Sequence, residues 1–363
     1  MPPLNVREFE AVARERMTPA AFDYYGGGAG DETTLSENER AFRGITVWPK
    51  VLVDVSQIDM ATTVLGERVD MPLLIAPTAF AKLAHPDGEA AIARAAGAAG
   101  TVMTVSTIAS STMEEIAAAA TGPLWFQLYV YRDRAVTAEL ITRAEAAGYR
   151  AIVLTVDTPL LGNRERDTRN QFTLPAGISV RNLETCRTVV EGAARWPASS
   201  SFGAYIHSLF DASLAWPAVE WLRSVTHLPV VVKGILRADD ARRAVDAGAS
   251  AIIVSNHGGR QLDGAPATIR ALPPIVHAVD GQIEVLLDGG IRRGVDVVKA
   301  LALGARAVLV GRPCLWGLAA DGEAGVTGVL NIFRSELKLA MALAGLPSVS
   351  AITPDAVTVA TAP

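Results

Sequence analysis

Only two cysteines occur in 363 residues, Cys186 and Cys314, and they lie far apart without metal-ligand spacing. That excludes a disulfide framework and points to a reducing compartment. No polybasic run is present, and the net charge of -5 comes from interspersed basic and acidic residues, so nothing argues for nucleic acid or an anionic membrane surface. No apolar run approaches the ~20 residues of a membrane span. The first residues, MPPLNVREFEAVARERM, are charged and amphipathic rather than signal-like, and the last, VATAP, lack a Ser-Lys-Leu type peroxisomal address. The expectation is a cytoplasmic protein with no metal, no nucleic acid and no membrane anchor. What the chain has in plenty is apolar surface: 50% of it is hydrophobic, enough for a large core.

Residues 5–17 and Pro19–Tyr25 read as two helices, the second ending at the glycine cluster Gly26, Gly27 and Gly28. From residue 73 a rhythm begins. Short apolar runs, Leu73–Ala76, Thr101–Val105, Trp125–Tyr129, Ala151–Thr155, Val230–Val232, Ala251–Val254, Glu284–Leu287 and Ala307–Val310, read as strands. Between them lie helical stretches: Gly88–Ala99, Met113–Ala120, Val136–Ala147, Leu214–Val225, Ala238–Ala247, Ala267–Val279 and Gly294–Leu303. The strands are too continuously apolar to have a wet face. They predict an α/β fold, a parallel (β/α)8 TIM barrel, over an open doubly wound sheet, because polar residues follow every strand rather than one switch point. The chain is expected to form one domain over 1–363, with a helical capping segment at 1–72. Roughly seventy residues separate Thr155 from Val230, and 156–229 is expected to be a lid-like excursion.

AIIVSNHGGRQLD, residues 251–263, carries the chemistry. A buried strand ends in His257, a base that titrates near neutral pH, with Arg260 three residues on, able to grip a carboxylate by two hydrogen bonds. Gly258 and Gly259 are expected to let the backbone pass close to a ligand. LLDGGIRRG and VLVGRP, at the last two strand ends, have the make-up of a barrel phosphate site: Gly289, Gly290 and Gly311 open backbone N–H groups to an anion and Arg312 adds charge. Ser106, Gln127 and Thr155 suit the edge of a flat heterocycle. Lys233 follows PVVV, where an ammonium needs an anionic partner, either a ligand or an Asp or Glu within the barrel.

These motifs resemble the FMN-dependent 2-hydroxy acid oxidases and dehydrogenases, the family of glycolate oxidase, lactate oxidase and mandelate dehydrogenase. The similarity runs through FDYYGGGAGDETTLSEN, IAPTAF, AHPDGE, WFQLYVYRDR, LTVDTPLLGNRERD, VVKGIL, SNHGGRQLD, LLDGGIRRG and VGRPCLWGLA. It implies that His257 accepts the substrate proton, with Asp157 bonded to it. It implies that Arg164, Arg260 and Tyr24 hold the substrate carboxylate and that Tyr129 bonds the substrate oxygen. Around FMN it places Pro77, Thr78, Ala79, Ser106, Gln127 and Thr155 at the ring, Lys233 at the anionic edge of the reduced ring, and Ser255 nearby. Asp288 then takes the ribityl hydroxyls, and Gly290, Arg292, Gly311 and Arg312 the phosphate. The implied reaction is oxidation of an (S)-2-hydroxy acid to the 2-oxo acid, with O2 giving H2O2 and with a homotetramer as the assembly.

Ile108 stands where glycolate oxidases carry tryptophan, and Phe80 replaces a methionine-like residue expected beside the ring. A smaller residue at 108 admits side chains beyond hydrogen, so lactate, or a longer or aromatic acid such as mandelate, becomes the expected substrate. The stretches RNLETCR, EGAARWPASSS and SFGAYIHSLF within 178–213 are mixed and interrupted, and give no apolar anchor. Three other readings stay open: a dehydrogenase with a quinone or other acceptor, a non-redox FMN barrel isomerase, and a non-catalytic flavin-binding protein.

Overall fold

Strands that are apolar at every position must be covered on both faces, and the chain achieves this by closing its sheet and ringing it with helices. The computed structural model describes residues 2–186 and 210–359. Strands β1 (Leu73–Ile75), β2 (Met103–Ser106), β3 (Leu124–Leu128), β4 (Ile152–Thr155), β5 (Val230–Ile235), β6 (Ala251–Val254), β7 (Glu284–Asp288) and β8 (Ala307–Val310) form a closed parallel barrel in chain order. Leu309 opposite Leu74 closes the ring, which rules out the open sheet. The two-residue side-chain period sorts the core. Leu74, Trp125, Val153, Val231, Ile253, Leu286 and Leu309 form one buried cluster within the barrel, while Leu73, Ile75, Phe126, Ile152, Leu154 and Val232 join the cluster under the helices.

Helices Gly88–Ala98, Met113–Ala119, Arg134–Ala146, Ala238–Asp246, Thr268–Val279 and Gly294–Ala302 lie within two residues of their expected bounds, and Pro217–Val225 starts three residues late. Several stop at glycines of positive φ, among them Gly148, Gly248 and Gly304, a conformation that side chains resist. Among the described residues, two long helices were not foreseen, besides the short turns Glu165–Arg169 and Arg181–Glu184 in the excursion. Thr33–Arg43 is a polar segment whose buried face includes Asn38, so its periodicity is hidden from a hydrophobic pattern. Arg312–Leu343 contains glycines that argue against helix, yet a Cβ on Gly317 would stand 2.6 Å from the Gly325 carbonyl, so they permit close passage on either side of a kink at Asp321 and Gly322.

Short antiparallel pairs frame the barrel. Ile45–Val47 pairs with Val357–Val359, and Thr62–Val64 pairs with Glu67–Val69, placing Val64 and Val69 in the interior cluster. Of the excursion and of the 178–213 stretch read as anchor-free, residues 187–209 lie outside the described residues. Among the described residues no helix is long and apolar enough to cross a membrane.

Candidate active site

The C-terminal strand ends converge on one cavity of about 1160 Å³, open mouth included. Its wall carries Tyr24, Pro77, Thr78, Ala79, Ser106, Gln127, Tyr129, Thr155, Arg164, Lys233, His257, Arg260, Asp288, Gly290, Arg292, Gly311 and Arg312. Two expected site residues stand behind that wall, Asp157 and Ser255.

His257 follows β6 with φ +56, a left-handed backbone costly for a side-chain-bearing residue, and its N–H donates to Ser255 Oγ at 3.1 Å. Its Nδ1 lies 2.8 Å from Asp157 Oδ1, and Thr158 Oγ1 donates to the same carboxylate oxygen at 3.1 Å. Gly234 permits that approach: a Cβ there would stand 2.7 Å from the Asp157 Cβ. Burial favours a neutral Asp157, but the imidazole and the Lys233 ammonium outweigh it and hold the carboxyl down at about 2. Burial also pulls His257 below its ordinary 6.5, with Asp157 opposing and Lys233 assisting. At neutral pH the ring is therefore uncharged, carries its proton on Nδ1 toward Asp157, and offers Nε2 as the basic nitrogen.

Ser106, Gln127 and Thr155 form one hydrogen-bonded row across β2, β3 and β4: Ser106 Oγ donates to Gln127 Oε1 at 3.2 Å and Gln127 Nε2 donates to Thr155 Oγ1 at 3.0 Å. Lys233, expected just after its strand, lies within β5, which continues through a bulge to Ile235. Its ammonium donates to Ser255 Oγ at 3.0 Å and stands 3.4 Å from Asp288 Oδ2. The barrel acid weighed as its partner thus exists, and Lys233 still faces the cavity. Burial favours the neutral amine, but Asp288 and then Asp157 outweigh it and raise the Lys233 pKa. Ser255 is wholly buried, its Oγ accepting from the Lys233 ammonium and from the His257 N–H, so it supports both residues.

The glycines of SNHGGRQLD divide their work. Gly258 lines the cavity, where a Cβ would stand 2.8 Å from Arg312 Nη1, whereas Gly259 lies against the chain itself, 2.6 Å from Leu35 N by the same construction. Gly259 is therefore corrected from a ligand contact to a docking point for the N-terminal segment. Phe80 is fully buried with φ +52, and its ring stands 6.3 Å from that of Tyr24.

Positive charge is in surplus. Arg260 Nη1 donates to the carbonyls of Tyr24 and Gly27 and its guanidinium lies 5.1 Å over the Tyr24 ring, which stacks on Phe172 at 4.5 Å. Burial and then Arg164 pull Arg260 down to about 10; burial, Arg260 and Arg292 pull Arg312 down to about 9. Guanidiniums keep their protons at neutral pH, so these shifts register uncompensated charge that anions would relieve. Arg312 opens the last helix beside Gly311 and spends three donors on the carbonyls of Tyr25, Gly258 and Gly27, at 2.8, 2.9 and 3.0 Å. Arg292 is paired with Glu39 at 3.1 Å.

This surface fits FMN. Asp288 Oδ1 is buried without a hydrogen-bond partner, Gly289 and Gly290 turn through φ +94 and +85, and the guanidinium cluster meets them. A neutral polar row for a ring, a free carboxylate oxygen for hydroxyls and a cationic glycine end for a phosphate stand on one cavity wall.

Several contributors went unread in the sequence. Gln261 Nε2 donates to the carbonyls of Asp157 and Leu160 at 2.9 and 2.8 Å, while its Oε1 accepts from Arg164 Nη2 at 3.5 Å. Its signal was its place beside Arg260. Asn38 and Asn256 exchange amide hydrogen bonds of 2.9 and 2.7 Å, locking the helix Thr33–Arg43 onto the histidine loop. Leu161, inside LTVDTPLLGNRERD, and Phe210 line the cavity from the excursion, apolar side chains that carry no chemical signal of their own.

The family model for FMN-dependent dehydrogenases matches residues 13–359. Glycolate oxidase 1 of Zea mays is 53% identical over 96% of this chain and 94% of its own length, and an L-lactate oxidase of Nostoc sp. is 53% identical over 94% of each. A solved mandelate oxidase with (S)-4-hydroxymandelic acid superimposes with a TM-score of 0.92, at 44% identity over 99% of this chain and 100% of that one. With nearly its whole length matched and its strand ends shaped for the cofactor, the chain belongs to the FMN-dependent dehydrogenase family.

Proposed function

We propose that this protein oxidises an (S)-2-hydroxy acid to the 2-oxo acid with FMN as cofactor, passing the electrons to O2 to give H2O2. The observation that carries the reading is the His257 and Asp157 pair at 2.8 Å beside Arg164, Arg260 and Tyr24 in one cavity. Bound FMN supplies a two-electron acceptor. Arg164 and Arg260 bind the substrate carboxylate, with the Tyr24 hydroxyl completing the clamp. That grip fixes C2 and its hydroxyl near His257, whose Nε2 accepts the proton the substrate gives up. Asp157 stays ionised and stabilises the imidazolium that forms. Tyr129, whose phenol burial holds protonated, donates to the substrate oxygen as charge shifts. Ser106, Gln127 and Thr155 would hold the cofactor ring, with the Lys233 ammonium supplying positive charge at its edge; Asp288 would take the ribityl hydroxyls and Gly290, Arg292, Gly311 and Arg312 the phosphate.

Lactate or a larger acid is the favoured substrate, supported by Ile108 in the cavity wall and by the L-lactate oxidase and mandelate oxidase among the similar proteins. One domain over 1–363, a homotetramer and a cytoplasmic location belong to the same proposal. The test is His257→Gln. The variant is expected to keep the bound FMN spectrum while anaerobic reduction by substrate slows about 10²–10⁴-fold, the usual worth of a general base. Reduction at an undiminished rate would show that another group is the base.

A further inference from the structure

The excursion returns to the barrel at Phe210, and that return is fixed by several bonds. Phe210 bridges Tyr131 in antiparallel fashion, Asp211 N–H donates to the Val130 carbonyl at 3.1 Å, and Arg132 Nε donates to the Phe210 carbonyl at 3.2 Å. Arg134 and Asp211 add an ion pair at 2.7 Å. The staple leaves the Phe210 ring buried, stacked on Tyr129 at 4.4 Å and 27°, and edge-on to Tyr131 at 5.8 Å. The same residue lines the cavity.

The lining sorts by chemistry. Arginines and Tyr24 serve a carboxylate, and the polar row and glycine ends serve the cofactor. Among the residues that neither duty uses are Ile108, Leu161 and Phe210. Ile108 and Leu161 are half-buried aliphatic side chains packed against the core, and neither stacks on a residue of the substrate machinery as an aromatic ring can. Phe210 is different, because turning its ring would break the stack on Tyr129.

We propose that Phe210 determines which 2-hydroxy acids are accepted, its ring being the fixed wall against which an apolar side chain on substrate C2 lies; this rests on the hydroxy-acid reading above. The ring offers no hydrogen bond, so a charged or polar substituent placed against it would lose its water without compensation. A hydrogen, as in glycolate, does not reach the wall. Methyl, alkyl and phenyl groups reach it progressively further.

The experiment compares Phe210→Trp and Phe210→Leu with the unaltered holoenzyme, each first checked for an intact FMN spectrum. It measures kcat/KM for glycolate, L-lactate, L-2-hydroxyoctanoate and (S)-mandelate. Phe210→Trp is expected to lower kcat/KM about tenfold or more for the octanoate and mandelate while glycolate stays within about threefold, the scale on which apolar volume discriminates. Phe210→Leu is expected to raise the mandelate to glycolate ratio. If both variants change all four acids by one common factor, or change none, the assignment is overturned and Phe210 is only a support for Tyr129. Bleaching of the unaltered holoenzyme, read first, separates the two claims: its absence with all four acids overturns the hydroxy-acid reading and this inference together, whereas a uniform response of the variants overturns this inference alone.

Discussion

Burial and charged neighbours oppose each other in this site: burial prevails at His257, whereas the neighbours prevail at Asp157 and Lys233. His257 is pulled below its ordinary 6.5 chiefly by desolvation, so it is already the free base at pH 7. Oxidation of the substrate should therefore be on its plateau at neutral pH and slow only as the pH drops below the ordinary histidine range, read as kcat/KM against pH. Asp157 raises the His257 pKa, so Asp157→Asn should move that acid limb to lower pH. The same substitution should slow oxidation at pH 7 by about 10²-fold or more, since the imidazolium loses its counter-charge. Stability follows the same sign. Between 6.5 and the depressed folded value, the unfolded chain holds the His257 proton and the folded chain does not, so falling pH destabilises the fold there. The Asp157 carboxyl, depressed to about 2, contributes stability above its ordinary 3.8 that is lost as the pH falls toward 2. An acid limb that moves upward in Asp157→Asn would contradict this pairing.

At the scale of elements, the N-terminal helices complete the barrel's active face. The helix Thr33–Arg43 brings Asn38 onto both the histidine loop and the start of the next helix, where Thr268 N–H also donates to Asn38 Oδ1 at 3.3 Å. Gly290 turns the loop after β7 beneath it with φ +85, and a Cβ there would stand 2.0 Å from the Asn38 carbonyl. Gly290→Ala should accordingly weaken FMN retention and lower Tm, through a strained backbone and a displaced helix together; unchanged FMN affinity and Tm would contradict the close contact. The strands that carry the site were legible because their runs are short and apolar and end in polar residues. Lys233 was placed past its strand because ammonium groups are rare in barrel cores, and only the Asp288 partner explains its position within β5. Thr33–Arg43 escaped because its buried face includes Thr34 and Asn38, which no hydrophobic pattern marks. Phe210 escaped because its position depends on a staple to Val130, Arg132 and Arg134, roughly eighty residues away, and long-range pairing of this kind leaves no local signature.

Across the whole molecule, chemistry and support are drawn from distant parts of the chain. The proposed substrate clamp draws on residue 24, on the excursion at residue 164 and on the loop after β6 at residue 260, while Gln261 and the paired asparagines tie those segments together. Residues 45–47 pair with 357–359, so the N-terminal segment is tied to the C-terminal end of the described chain. The family resemblance read from the motifs extends over this whole arrangement, since the family match spans residues 13–359 and the barrel closes in chain order. The central claim is that these parts together make a hydroxy-acid oxidase. Its most direct test is the visible spectrum of the purified protein during anaerobic addition of L-lactate, glycolate and (S)-mandelate in turn, followed by air. Expected is a flavin band that at least one acid bleaches within the dead time of manual mixing, returning on admission of air with one H2O2 formed per 2-oxo acid. A band that none of the acids bleaches would contradict the oxidase reading, and one that bleaches but returns only slowly in air would contradict O2 as the acceptor.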